Sequence, residues 1–236
     1  MTLWVFGDSY VEQSRSDLNK FKQNHWIHFL ATSLGCQETQ LQGAAGAANE
    51  WIYYQFYSAL PKIKNSDYVV FVSSQINRRW FFPNDIGSSN YLINDISKNS
   101  ISPEEKNALK NYAKYLDNPM ISRVFFENMC NSIHWVTMKK NLNLIILPGF
   151  ECGDEGFPVS GNYSVEGNLF NIGVKEITGK SVENWHKFIS TTYKGQDPRI
   201  GHLSYDNHVI LSKKLTDTFL NKHPLDLNNG FREEFL

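Results

Sequence analysis

The chain has 236 residues, 41% of them hydrophobic and 14% aromatic, enough to bury the core of one compact domain. Its formal net charge of -1 argues against the strongly basic surface that nucleic-acid partners select. No run approaches the ~20 apolar residues of a membrane span.

In chain order, residues 3–6, LWVF, form a continuous apolar run and predict a short buried strand that stops at Gly7-Asp8-Ser9. The run is too short for a signal peptide and has no basic lead-in. The expectation is a chain that is cytoplasmic at synthesis, although it can leave the cell by lysis or within a particle. Residues 24–34 predict a helix with Trp26, Ile27, Phe29, Leu30 and Leu34 sharing a face and Gly35 as its stop. Residues 41–49, LQGAAGAAN, are small and glycine-rich and lead into an aromatic helix over 50–60, ended by Pro61. YVVFV at 68–72 is the clearest strand, followed by a polar turn at 73–77.

Residues 83–102 are polar and predict a long loop or an ordered excursion. Ser102-Pro103-Glu104-Glu105 then starts a helix, with Ser at the N-cap, Pro at N1 and acids in the first turn. Residues 122–140 predict a long helix with Val124, Phe125, Met129, Ile133, Val136 and Thr137 inward. LNLIIL at 142–147 is a second buried strand, stopped by Pro148-Gly149. Residues 150–181 read as an irregular surface insertion, 206–220 as a final helix, and 223–236 as a packed or loose tail that follows a domain spanning 1–222. Cys36, Cys130 and Cys152 make no CxxC pair and no metal-ligand spacing, which fits free thiols in a reducing compartment and no bound metal.

Strands separated by helices predict an α/β fold with a parallel central sheet covered on both faces. Such sheets bind ligands beyond the carboxyl ends of their strands, which selects three places: residues 7–9, 73–77 and 148 onward. A serine hydroxyl becomes a nucleophile only with a base in hydrogen-bond reach and with donors aimed at the developing oxyanion. Ser9 stands at the first strand end, although Gly-Asp-Ser is also ordinary turn chemistry. His202, just before the last helix, is a candidate base, and His208 in its first turn suits a structural role. Gly46 offers an unobstructed backbone N–H. Asn77 and Gln75 each offer a side-chain amide.

Taken together, VFGDSY, GAAGAAN and GHLSYDNHVILS resemble the four-block pattern of the SGNH (GDSL-like) hydrolases. The resemblance implies a flavodoxin-like three-layer α/β/α sandwich. It implies Ser9 as nucleophile, His202 as base, and an oxyanion hole from the N–H groups of Ser9 and Gly46 with Asn77 or Gln75. The third block departs from the family's Gly-x-Asn-Asp, reading SSQINRR, and leaves that last choice open. Arg78-Arg79-Trp80 beside it is a candidate substrate surface. The triad acid departs too: Arg199 stands three residues before His202, where the family has Asp. Asp197, five before, is the first candidate and Asp206 a weaker one. A Ser–His dyad oriented by a backbone carbonyl is the alternative.

The resemblance implies a serine esterase working through an acyl-Ser9 intermediate with no cofactor. Its substrate is expected to be a small-molecule or glycan ester, such as an acetylated sugar, and neither nucleic acid nor membrane is an expected partner. Trp51, Tyr53, Tyr54, Trp80, Phe81 and Phe82 are compatible with a carbohydrate platform, although Trp51 and Tyr54 suit helix and core contacts better. The last block and the helix after the glycine block are also similar to SGNH-like proteins of tailed phages, which would allow a virion role. A non-catalytic glycan-binding or virion structural protein on the same fold is the reading from another class.

Overall fold

The computed structural model describes residues 1–12, 24–80, 102–116, 118–150, 163–175 and 202–232. Four strands make the main sheet: β1 (Thr2–Gly7), β2 (Glu38–Gly43), β3 (Tyr68–Ser73) and β4 (Asn143–Pro148). They run parallel in the order β2-β1-β3-β4, as in a flavodoxin-like sheet. The chain reverses its direction of growth at β1, so the carboxyl end of β1 lies at a topological switch point.

Strands β1, β3 and β4 are buried on both faces, which is why they read as continuous apolar runs. Alternate residues serve two separate cores. Leu3, Val5, Val70, Val72, Ile145 and Leu147 meet α1 (Trp26–Ser33) and α6 (Tyr205–Asn221) on one face. Trp4, Phe6, Val69, Phe71, Leu144 and Ile146 meet α2 (Asn49–Ala59) and α4 (Pro119–Lys140) on the other. The result is an α/β fold with three layers. The helix between α2 and α4 is α3 (Pro103–Tyr115); it starts at the expected Ser102 N-cap, and Glu105 completes a capping box there.

Several expectations change. Edge strand β2, ETQLQG, was hidden by its polarity: it is exposed or half-buried throughout, so no apolar pattern marks it. In α4 the buried stripe is Phe126, Met129, Cys130, Ile133 and Thr137, while Val124 and Phe125 are 48% and 42% exposed. Apolar residues occur all round the first half of this helix, so periodicity alone could not choose the face. Residues 163–175 are not an irregular insertion. They form β5 (Val165–Glu166) and α5 (Leu169–Lys175), and they send Tyr163, Val165, Leu169 and Ile172 into the core shared with α1 and α6. Of the two readings of the stretch after α6, the packed one holds for its described residues, which join the domain. Strand β6 (Leu225–Asp226) pairs with β5, Leu225 and Leu227 are buried, and Asn207 accepts from the Arg232 N–H and donates to its carbonyl. Residues 151–162, 176–181 and 83–101 lie outside the described residues. Cys36 and Cys130 are free thiols, and no helix among the described residues is long and apolar enough to cross a membrane.

Asp67 ties the start of the chain to the start of β3. Its carboxylate accepts from the N–H of Thr2 at 2.9 Å, the N–H of Lys64 at 3.1 Å and the indole of Trp4 at 3.2 Å. Burial pushes this carboxyl up, but the three donors outweigh it and hold it below the usual range. A folded-state value below the unfolded one means stability that is present above about pH 4 and is lost as pH falls through the folded value. Asp67→Asn is therefore expected to cost about 1–3 kcal/mol at pH 7 in urea denaturation. The gap should shrink towards pH 2.5; a gap independent of pH would contradict the assignment.

Candidate active site

The site is assembled where β1, β2 and β3 end. Gly7 closes β1 in a space that admits no side chain: a Cβ there would stand 2.5 Å from Val11 Cγ2 and 2.8 Å from Val72 Cβ. The chain then turns at once. The Asp8 carbonyl accepts from the N–H groups of Val11 and Glu12, and the Asp8 side chain accepts from the Tyr10 N–H at 3.2 Å. Ser9 sits within this turn, half-buried.

His202 approaches from the far end of the chain. It lies two residues before the Ser204 N-cap of α6, whose side chain accepts from the Asn207 N–H. Leu203 is buried and anchors that approach. The imidazole Nε2 stands 3.1 Å from Ser9 Oγ across 193 residues of sequence. Its ring stacks on Tyr10 with centroids 4.6 Å apart and planes 24° from parallel. His208 has the structural place expected of it. Its Nδ1 accepts from the Trp26 N–H at 3.3 Å, and its ring lies 4.6 Å from that of His25, the N-cap of α1. The first turns of α1 and α6 are thereby clasped together.

Gly46 lies in the loop that leaves β2 beside the end of β1, where the Ala44 N–H donates to the Gly7 carbonyl. The Ala47 N–H returns to the Ala44 carbonyl, and Gly46 takes φ +74°, the left-handed value that the third position of a type II turn requires. Asn77 is exposed and Gln75 half-buried in the turn after β3, so both remain candidate donors. Asp197 lies outside the described residues. The carboxylate of Asp206 pairs with Arg232 at 2.7 Å.

Asp8, Ser74 and Asn49 escaped sequence reading, and Arg78 was read only as part of a substrate surface. Asp8 is fully buried; its carboxylate accepts from Arg78 Nη1 at 2.8 Å and from Ser74 Oγ at 3.1 Å, joining the end of β1 to the end of β3. Arg78 also donates to Ser74 at 2.6 Å and lies over the Phe150 ring, 4.9 Å from its centroid. Asn49 is buried at the start of α2. Its amide accepts from the Ser74 N–H at 2.7 Å and donates to the carbonyls of Ser74 and Gln75, pinning the glycine loop to the β3 turn. The clue to Asp8 and Arg78 was available: a carboxylate buried behind an apolar strand needs a cation, and SSQINRR supplies one at the neighbouring strand end.

Arg78-Arg79-Trp80 is thus not simply a substrate surface, because both arginines have structural work. Arg79 donates to the Tyr112 hydroxyl, Ser122 and the Ile76 carbonyl, bracing α3 and α4 against the β3 turn. It lies 3.6 Å from Glu50, whose carboxyl burial pushes up despite a backbone hydrogen bond and the opposing pull of Arg79. Trp51 belongs to the core, whereas Tyr54 is half exposed and lies against Trp80, ring centroids 5.4 Å apart. Phe81 and Phe82 lie outside the described residues.

Fold and site define an α/β protein with a serine–histidine pair at the switch point of a parallel sheet. No protein-family model matches the chain, and no curated protein matches it. A solved structure from Desulfitobacterium hafniense DCB-2, described as a lipolytic protein of the G-D-S-L family, is similar at 12% identity and a TM-score of 0.33. The match covers 62% of this chain and 59% of that one.

The Asp8–Arg78 pair makes a quantitative expectation. Arg78→Met strands a buried carboxylate and should cost about 3–5 kcal/mol in urea denaturation. Combining it with Asp8→Asn should recover part of that loss; strictly additive costs would contradict direct coupling.

Proposed function

We propose that this chain is a serine esterase of the SGNH type. The observation that carries the reading is the 3.1 Å approach of His202 Nε2 to Ser9 Oγ at the carboxyl edge of the sheet. That distance is the reach a general base needs, and the two groups come from opposite ends of the chain to one edge of the sheet.

With the ring proton on Nδ1, His202 Nε2 accepts the hydroxyl proton as Ser9 attacks an ester carbonyl. The oxyanion is received by the N–H groups of Ser9 and Gly46, with Gln75 or Asn77 as the third donor. The imidazolium returns its proton to the departing alcohol, leaving an acyl-Ser9. Water, deprotonated by the same histidine, then releases the acid. Each step balances with protein groups and water. Asp197, or a backbone carbonyl in its place, orients the ring in this reading. Carbohydrate O-acetyl esters are the preferred substrate class, because the exposed ring of Tyr54 against Trp80 gives an aromatic face on the helix that follows the Gly46 loop.

Wild-type protein should hydrolyse p-nitrophenyl acetate and be labelled by a fluorophosphonate at Ser9. Ser9→Ala should abolish both, and His202→Ala should lower kcat by at least 10²-fold. No turnover and no labelling of Ser9 in folded wild-type protein would overturn the proposal in favour of a non-catalytic binding role. Among acetylated sugars and simple esters, faster turnover of the sugars, reduced by Tyr54→Ala, is the outcome expected for the substrate class.

The positive φ of Gly46 adds a separate expectation. Gly46→Ala should strain the oxyanion loop and lower kcat more than it raises KM, because the donor acts on the transition state.

A further inference from the structure

Beside the candidate base lies an aromatic ring whose placement is unusually constrained. Tyr10 is the residue after Ser9, and it is buried. Its N–H is held by the Asp8 carboxylate, and its carbonyl accepts from the Trp26 indole at 3.3 Å. Its ring is bounded by Phe150 in an edge contact at 5.6 Å and by the backbone at Gly149, where an added Cβ would come within 3.5 Å of Tyr10 Cδ2. Phe150 is in turn backed by Phe170, 5.4 Å away, and by the Arg78 guanidinium. The broad face left to Tyr10 carries the imidazole of His202.

We infer that Tyr10 is a positioning residue for His202: its ring is the seat that fixes the imidazole plane so that Nε2 meets Ser9. The inference rests on the serine-esterase reading for its catalytic meaning and goes beyond it in assigning Tyr10 a role. Two physical effects act together. A stacked ring limits rotation of the imidazole out of the attack geometry. Once His202 takes the proton from Ser9, the imidazolium faces the electron-rich ring, an attraction that the neutral ground state lacks. Losing an effect confined to the charged state lowers kcat and leaves KM nearly alone. Residues 8, 9 and 10 then divide the work: Asp8 anchors the turn, Ser9 attacks, and Tyr10 seats the base.

The test compares Tyr10→Phe, Tyr10→Leu and pentafluorophenylalanine in place of Tyr10. The fluorinated ring keeps the shape but loses the electron-rich face, so it serves if the leucine variant fails to fold. The readouts are p-nitrophenyl acetate kinetics and the ring-proton resonances of His202 by NMR. The phenylalanine variant should stay within about twofold of wild type. The leucine and fluorinated variants should lose about 2- to 30-fold in kcat with KM unchanged, from the strength of a cation over an aromatic face. The leucine variant should also move the His202 ring protons downfield, as the ring current above them disappears.

A folded leucine variant with wild-type kcat and unmoved His202 resonances would overturn the inference. So would a phenylalanine variant as impaired as the leucine one, because the hydroxyl would then be responsible. Wild-type protein that neither turns over ester nor labels at Ser9 would sink the esterase reading. The seat itself is then judged by the resonances alone: a downfield move in the leucine variant supports it, and no move overturns it.

Discussion

The buried carboxylate of Asp8 is the interaction on which the site depends. It stands one residue before Ser9, with no access to water, and it must be satisfied from inside the protein. Arg78 and Ser74 satisfy it from the end of β3, and the Tyr10 N–H satisfies it from its own turn. A charge-assisted contact at 2.8 Å to a partner 70 residues away sets the distance between two strand ends more firmly than neutral packing would. The turn that carries Ser9 is therefore registered against the turn that carries Gln75 and Asn77. Asn49 does the same for the glycine loop by spending its whole amide on the main chain of Ser74 and Gln75. Three loops from three strand ends are bolted together by two side chains that would not themselves react.

His202 comes to this assembly by a different route. It is carried by α6, and α6 is located by packing on α1 and the sheet and by the His208–Trp26 and His25 contacts at its first turn. The stretch following α6 closes the arrangement: Asn207, fully buried, is bound at both ends of its amide by the backbone of Arg232. His202 and Ser9 therefore meet at the junction of two packed parts, the sheet edge and the α1–α6 pair. Tyr10 belongs to the first part and touches the second, so the stack on His202 is also where the two are held in register.

Much of the fold was legible along the chain because its signals are local. Strands β1, β3 and β4 are buried on both faces and so are written as unbroken apolar runs, and α3 carries its own capping box. The failures have equally physical causes. Strand β2 is an edge strand with solvent on most of its surface and needs no apolar pattern. Helix α4 has apolar residues on more than one face, and only contact with Leu144 and Ile146 selects the stripe through Phe126 and Ile133. Residues 163–175 look irregular because β5 is two residues long, yet their apolar side chains complete the α1–α6 core.

For the site the division is sharper. The sequence by itself determined the residue types and their order: a Gly-Asp-Ser at a strand end, a glycine loop, and a histidine before the last helix. These are chemical identities, readable without coordinates. Only the tertiary structure decided that His202 Nε2 lies 3.1 Å from Ser9 Oγ, that Asp8 is an anchor instead of a turn residue, and that Tyr10 lies beneath the imidazole. Such facts are relations between groups far apart in the chain, set by sheet order and helix packing, and no local pattern encodes the distance between them.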